Sequence, residues 1–255
     1  MLNSSRPEDA ITEAVRHKPD LVLMDIDLGC ERMDGTEAAK RILARCDVPI
    51  VFLTGHTEKE YVDRARSITR YGYIVKNSGD FVLLQSVEMA FELFEAHQEL
   101  ETNHTELSAV YQHMPVLMVV IDSERRIRRV NTQMEQFTGT VSQALHGMRP
   151  GEALCCLAHL DDPRGCGSGP RCESCAIRRS ALSSLDSGQP WRSVEQTLPL
   201  VSDSGEEVSV TMRVSTGYFE VKGEPRVVVA LEDITLLRKL EAEAADCRES
   251  HASSS

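Results

Sequence analysis

The chain has 255 residues, enough for two ordinary domains, and Asp plus Glu outnumber Lys plus Arg by 40 to 28 for a net charge of −12. That balance, with only two short basic clusters at Arg125–Arg129 and Arg178-Arg179, argues against a nucleic-acid surface, and both clusters read as solvated faces. No apolar run approaches the ~20 residues that span a bilayer. The first 20 residues lack the apolar core of a signal peptide, so a cytoplasmic location is expected and the eight cysteines are not read as a disulfide scaffold.

Residues 8–18 carry helical spacing, with Ala10, Ile11, Ala14 and Val15 on one face. Three short apolar runs follow: Leu21–Asp25, Val48–Thr54 and Tyr71–Lys76. Runs unbroken by polar residues read as parallel strands buried on both faces. Met33-Asp34-Gly35 is a turn signal before a helix beginning at Thr36, and another helix is expected from about Glu58 to Arg66. The alternation makes a doubly wound α/β parallel sheet. Ligands bind such sheets at the carboxyl ends of the strands. Here those ends carry a carboxylate at Asp25, a hydroxyl at Thr54 and an ammonium at Lys76.

From Phe81 to about His113 there is no Gly or Pro. Leu84, Val87, Phe91 and Phe94 recur three and four residues apart, and Leu100, Leu107 and Val110 continue the stripe. One long helix is expected, packed on its own sheet to about Ala96 and a connector beyond, where a seam could pair with a second copy. After Pro115 the pattern becomes antiparallel β: strands at 116–122 and 126–131, a helix at 132–137, then strands at about 191–200, 207–216 and 226–231. A further helix runs from Leu236 to Cys247 before a polar tail.

Residues 1–95 resemble a response-regulator receiver domain through Pro19–Asp25, Met33-Asp34-Gly35, Leu53-Thr54-Gly55 and Tyr71–Lys76. The resemblance implies a flavodoxin-like fold in which Asp25 accepts a phosphoryl group from a partner histidine kinase or phosphotransfer protein. Lys76 and Thr54 would neutralise and bond the phosphoryl oxygens, and Tyr73 would be the aromatic switch. It also implies Mg²⁺, held in this family by acidic residues at the end of a first strand. Only 24 residues precede Asp25, and they hold one helix and no strand. The acids of that strand are absent, the Asp25 strand is expected at an exposed sheet edge, and the chain reads as truncated or mis-started.

Residues of about 103–235 resemble a PAS sensory domain, an α+β fold, through Met114–Asp122, Arg129-Val130-Asn131 and the exit motif Leu231-Glu232-Asp233-Ile234-Thr235. Within it lie Cys155-Cys156, Cys166, Cys172 and Cys175. From Ala158 to Cys175 the only apolar non-cysteine side chains other than proline are Ala158 and Leu160, so burial alone is not expected to order the segment. Four thiolates at Cys156, Cys166, Cys172 and Cys175 suit a tetrahedral Zn²⁺ site or an iron–sulfur cluster. A dithiol switch at Cys172 and Cys175, and unligated thiols, are the alternatives, with His146 and His159 as substitute ligands. Cys30, Cys46 and Cys247 read as neutral.

The expected organisation is a partial receiver at 1–95, a connector helix at 96–112, a PAS domain at 113–235 with a cysteine-rich insert at 155–175, and a C-terminal helix and tail at 236–255. The expected function is phosphorelay signalling by a helix-paired homodimer without a kinase core, or else the N-terminal piece of a hybrid sensor histidine kinase.

Overall fold

A computed structural model of the chain describes residues 3, 4, 6–28, 33–55, 68, 71–202 and 204–252, with side chains described to residue 245. It divides into two compact units, Met1–Thr105 and Glu106–Ser255. The helix expected near Glu58–Arg66, Cys30 and the Cys247 side chain lie outside the described residues. Among the described residues no helix is long and apolar enough to cross a membrane.

The first unit contains α1 (Pro7–His17), β1 (Val22–Asp25), α2 (Gly35–Leu43), β2 (Ile50–Thr54), β3 (Tyr73–Val75) and most of α3 (Asp80–His113). Proline near its first turn starts α1, where the missing N–H costs no bond. Ile11 and Ala14 are buried, whereas Val15, expected on the same face, is exposed. The sheet is parallel in the order β1-β2-β3, with Asp25 opposite Leu53 and Thr54 opposite Val75. Ile50, Val51 and Phe52 of the central strand are fully buried, as an unbroken apolar run requires. Among the described residues β1 pairs only with β2, and its Val22 and Leu23 are half-buried. Along α3 the only buried residue is Ala90, and Leu84, which was expected to pack on the sheet, is exposed.

The second unit contains β4 (Leu117–Asp122), β5 (Ile127–Val130), α4 (Thr132–Thr138), α5 (Ser142–Leu145), α6 (Pro150–Ala153), a 3₁₀ turn (Leu157–Asp161), α7 (Pro170–Glu173) and α8 (Ala176–Ser187). Then come β6 (Trp191–Val201), β7 (Glu207–Val221), β8 (Glu224–Asp233) and α9 (Thr235–Ala252). The sheet is antiparallel in the order β5-β4-β8-β7-β6. Val119, Ile121, Met212, Val214 and Leu231 of the sheet pack with Met134, Leu145 and Ile177 of the helices in one buried core. The β7–β8 turn is narrower than the expected Lys222–Pro225. Only Lys222 and Gly223 turn, both at positive φ, which suits a two-residue hairpin and extends both strands.

Asp122 fixes the β4–β5 hairpin. Its Oδ1 accepts the backbone N–H groups of Glu124 and Arg126, both at 2.9 Å, and its Oδ2 pairs with Arg128. Burial pulls this carboxyl upward, but the Arg126 N–H and the Arg128 guanidinium outweigh that and hold it below the usual carboxylate range.

Candidate functional sites

The first site lies where β1, β2 and β3 end. Asp25 closes β1, Thr54 closes β2, and Lys76 follows β3, its N–H donating to the Thr54 carbonyl at 2.7 Å. The parallel register therefore delivers three residues, far apart in sequence, to one sheet end. Lys76 Nζ is ion-paired with Asp25 Oδ2, and the Asp27 N–H donates to Asp25 Oδ1 at 3.2 Å. Thr54 is buried, while Tyr73 at the start of β3 is exposed.

Gly35 was legible only as a turn residue. Its N–H donates to the Ile26 carbonyl at 3.0 Å, and a Cβ there would overlap the carbonyl oxygen of Asp25. Asp34 caps α2: its Oδ1 accepts the Glu37 N–H at 2.9 Å and the Thr36 hydroxyl at 2.7 Å. The donor set fits Mg²⁺ poorly. Asp25 already pairs with Lys76, Asp34 is engaged as a cap, and among the described residues no three His, Cys, Asp or Glu side chains are arranged to hold a metal ion.

The second site is a cavity of about 260 Å³ in the second unit. Cys156, Cys166, Cys172 and Cys175 all line it, so the structure brings the four expected cysteines together, although they are not drawn up as a coordination shell. His159 also lines it, with Nδ1 2.7 Å from the Cys156 carbonyl; His146 does not. Burial pushes the Cys166 thiol up to about 11 and raises that of Cys156, which disfavours the thiolate at both.

The segment that burial alone was not expected to order is held by polar contacts and close backbone packing. Arg149 donates to the Cys166 carbonyl at 2.8 Å, and Glu152 accepts the N–H groups of Arg149 (2.9 Å) and Cys166 (3.3 Å). Arg171 pairs with Asp161, and Arg164 with Asp162. Gly151, Gly165, Gly167 and Gly169 sit where a Cβ would collide, so the glycines permit the packing as well as the turns.

Sequence reasoning missed the arginines. Arg125, expected on a solvated face, occupies the hairpin turn at positive φ and lines the cavity with Arg149 and Arg178. At the exit, Asp233 Oδ1 accepts the Thr235 N–H at 2.9 Å, the Thr235 hydroxyl accepts the Thr211 N–H at 2.9 Å, and Ile234 is buried. The start of α9 is thereby clasped to β7.

Residues 3–88 match the family model of the response regulator receiver domain, and residues 105–171 match that of a PAS domain. The transcriptional regulatory protein PdtaR of Mycobacterium tuberculosis is 36% identical over 101 residues, which is 40% of this chain and 48% of that protein. The chain thus spans about half the length of this curated relative. The N-terminal domain of a response regulator/sensory box/GGDEF 3-domain protein from Carboxydothermus hydrogenoformans is 46% identical, covering 36% of this chain and 73% of that one, with a TM-score of 0.32. The PAS domain of an HTR-like protein from Haloarcula marismortui is 18% identical, covering 55% and 98%, with a TM-score of 0.38. The chain carries a response regulator receiver domain followed by a PAS domain.

Proposed function

We propose that this chain is a two-component signalling module in which Asp25 accepts a phosphoryl group from a phosphohistidine on a histidine kinase or phosphotransfer protein. Its proposed divisions are a partial receiver at 1–95, a connector at 96–112, a PAS domain at 113–235 and a C-terminal helix beyond. The observation that carries the reading is the Asp25–Lys76 ion pair at the sheet's carboxyl end, with Thr54 between their strands. In the transfer, an Asp25 oxygen forms a bond to phosphorus while the phosphorus–nitrogen bond breaks. The bonding pair leaves on the imidazole nitrogen, which takes a proton from solvent. Catalysis of such transfers is positioning and charge neutralisation. Lys76 moves its charge onto a phosphoryl oxygen and Thr54 donates to another, leaving room for Tyr73 to turn inward.

Acetyl phosphate, with and without Mg²⁺, tests this in the full chain. Intact mass should rise by one phosphoryl group, and Asp25→Asn should show no rise. Equal labelling of the Asn variant would end the claim.

The PAS domain is the proposed sensor, its cysteine cavity the input site for Zn²⁺ or an iron–sulfur cluster, and the clasped exit to α9 the output. The Gly167 N–H, which donates to Cys172 Sγ at 3.3 Å, supports that reading.

The proposed partner of α3 is a second copy. Leu93, Leu100 and Leu107 recur every seven residues, with Met89 and Val110 beside them, and all five are exposed. In a parallel pair, Glu92 and Glu99 would face His97 and His104 of the second copy, opposite in charge once the imidazoles are protonated. Light scattering should give a dimer, and the double change Leu100→Glu and Leu107→Glu should halve the mass. A wild-type monomer at tens of micromolar concentration would rule the pairing out.

A further inference from the structure

Four elements each bring one cysteine to the PAS cavity: Cys156 before the 3₁₀ turn, Cys166 in the glycine loop, Cys172 in α7, and Cys175 as the residue capping α8. They surround about 260 Å³ of space, where one water needs only about 10–15 Å³. A single tetrahedral zinc ion draws four sulfurs to ~2.3 Å from one point. These thiols line a void, and among the described residues no three of them are placed to hold a single ion. A polyatomic core of iron and sulfide, held by four thiolates at its corners, matches that arrangement better.

One of the sulfurs already accepts a backbone N–H: Gly167 donates to Cys172 Sγ at 3.3 Å. Such bonds stabilise negative charge on sulfur and are among the contacts that tune cluster potentials. Gly151 also lies close: a Cβ there would stand 2.6 Å from Cys166 Sγ.

The charge around the cavity has the complementary sign. Four arginines line it and no carboxylate does. Arg171 is neutralised by Asp161, but Arg125, Arg149 and Arg178 have no carboxylate partner among the described residues. Arg149 is spent on backbone carbonyls, and Arg178 Nε is buried without a hydrogen-bond partner. The Arg125 guanidinium occupies the space that a Cβ on Gly167 would need. Arg125, Arg149 and Arg178 line one cavity that no carboxylate lines, so like charges gather there and repel one another. A core of charge 2+ bound by four thiolates carries a net charge of about −2, which would offset most of that repulsion. A zinc tetrathiolate has the same charge, so the charge argues for a thiolate centre and the size of the void for the cluster.

We infer that Cys156, Cys166, Cys172 and Cys175 hold an iron–sulfur cluster in the PAS cavity, with Arg125, Arg149 and Arg178 as its counter-charge. The inference rests on the proposed reading of the cysteines as a metal site and selects one occupant. Loading from a pre-assembled four-iron, four-sulfide cluster ligated by small thiolates is ligand exchange without electron transfer. Four iron–thiolate bonds break, four iron–Sγ bonds form, and the four protein protons leave on the released thiols.

The full chain, anaerobic, is treated with that synthetic cluster or, in parallel, with Zn²⁺, desalted and assayed for iron, zinc, acid-labile sulfide and visible absorbance. Iron and sulfide should be retained in equal amounts with a broad band near ~400 nm. Cys172→Ser with Cys175→Ser should remove both, while circular dichroism shows the apoprotein still folded. Arg125→Gln with Arg149→Gln should lose the cluster to an iron chelator about 10–100-fold faster, the usual size of an outer-shell effect. Lysine at both positions should largely restore retention, which a purely structural role would not predict. Zinc uptake without iron or sulfide would overturn the cluster and leave the metal reading standing. Uptake of neither would overturn both. Unchanged cluster loss in the glutamine variant would overturn the counter-charge role.

Discussion

Gly35→Ala is expected to destabilise the receiver unit and to displace the residue proposed as phosphoacceptor, in one substitution that removes no functional group. The added Cβ would overlap the backbone carbonyl oxygen of Asp25 and crowd Ile26. A flexible side chain could swing aside. Here the obstacle is the main chain at the end of β1, where Asp25 and the following Ile26 are tied to β2, Ile26 through its N–H to the Leu53 carbonyl at 3.0 Å. Relief must come from shifting α2 away, which weakens the Gly35–Ile26 hydrogen bond and the burial of Ala38, Ala39 and Ile42. The expected loss lies at the upper end of the roughly 1–3 kcal/mol that overpacking costs. Gly55→Ala is the matched control, because among the described residues a Cβ there meets nothing within 4 Å. Urea unfolding of the two variants, followed by acetyl phosphate labelling, checks the expectation. Equal stability and equal labelling would mean that the close approach of α2 to β1 has no consequence.

The strand ends at Asp25, Thr54 and Lys76 were legible because a fully buried parallel strand leaves a recognisable apolar run, and the polar residue that stops it marks the sheet's edge. Gly35 was legible as a turn but not as a contact, since its constraint comes from a carbonyl ten residues earlier in the chain and a β-strand away. The same limit hid the arginines of the second unit. A basic run is normally a solvated face, and Arg126 and Arg129 obey that rule. Arg125 departs from it only because the hairpin held by Asp122 turns at that residue with φ of 62°. Cysteine spacing disclosed the second site, but the means of ordering its loop did not show in composition. Salt bridges, an arginine bonded to backbone carbonyls and glycine packing replace the apolar burial that the segment lacks.

Asn131→Ala is expected to be the most damaging single change in the PAS unit, although the residue touches no proposed ligand. Its side chain is fully buried and joins three segments. Oδ1 accepts the N–H of Met118 on β4 at 2.9 Å and that of Met134 on α4 at 3.1 Å, while Nδ2 donates to the carbonyls of Val116 at 2.8 Å and Met114 at 3.4 Å. One residue thereby caps α4 and locks the start of β4, the strand that pairs with β8 from Leu117 to Asp122 and so leads toward the exit motif. Alanine takes the side-chain partner from the half-buried Met118 N–H and Val116 carbonyl, at about 1–3 kcal/mol each, and removes the helix cap, typically worth about 1 kcal/mol. These effects share one network and do not add fully. A total near 3 kcal/mol is a large share of the roughly 5–15 kcal/mol that holds a domain together. For a unit of this size it lowers the melting temperature by about 6–12 °C. Asn131→Asp separates the two halves of the role, keeping the acceptor for Met118 and Met134 while losing the donor to Val116 and burying a charge. Calorimetry of the two variants should find both destabilised. A fall of under about 2 °C for Asn131→Ala would show that water replaces the side chain, and that β4 is held by its strand partners alone.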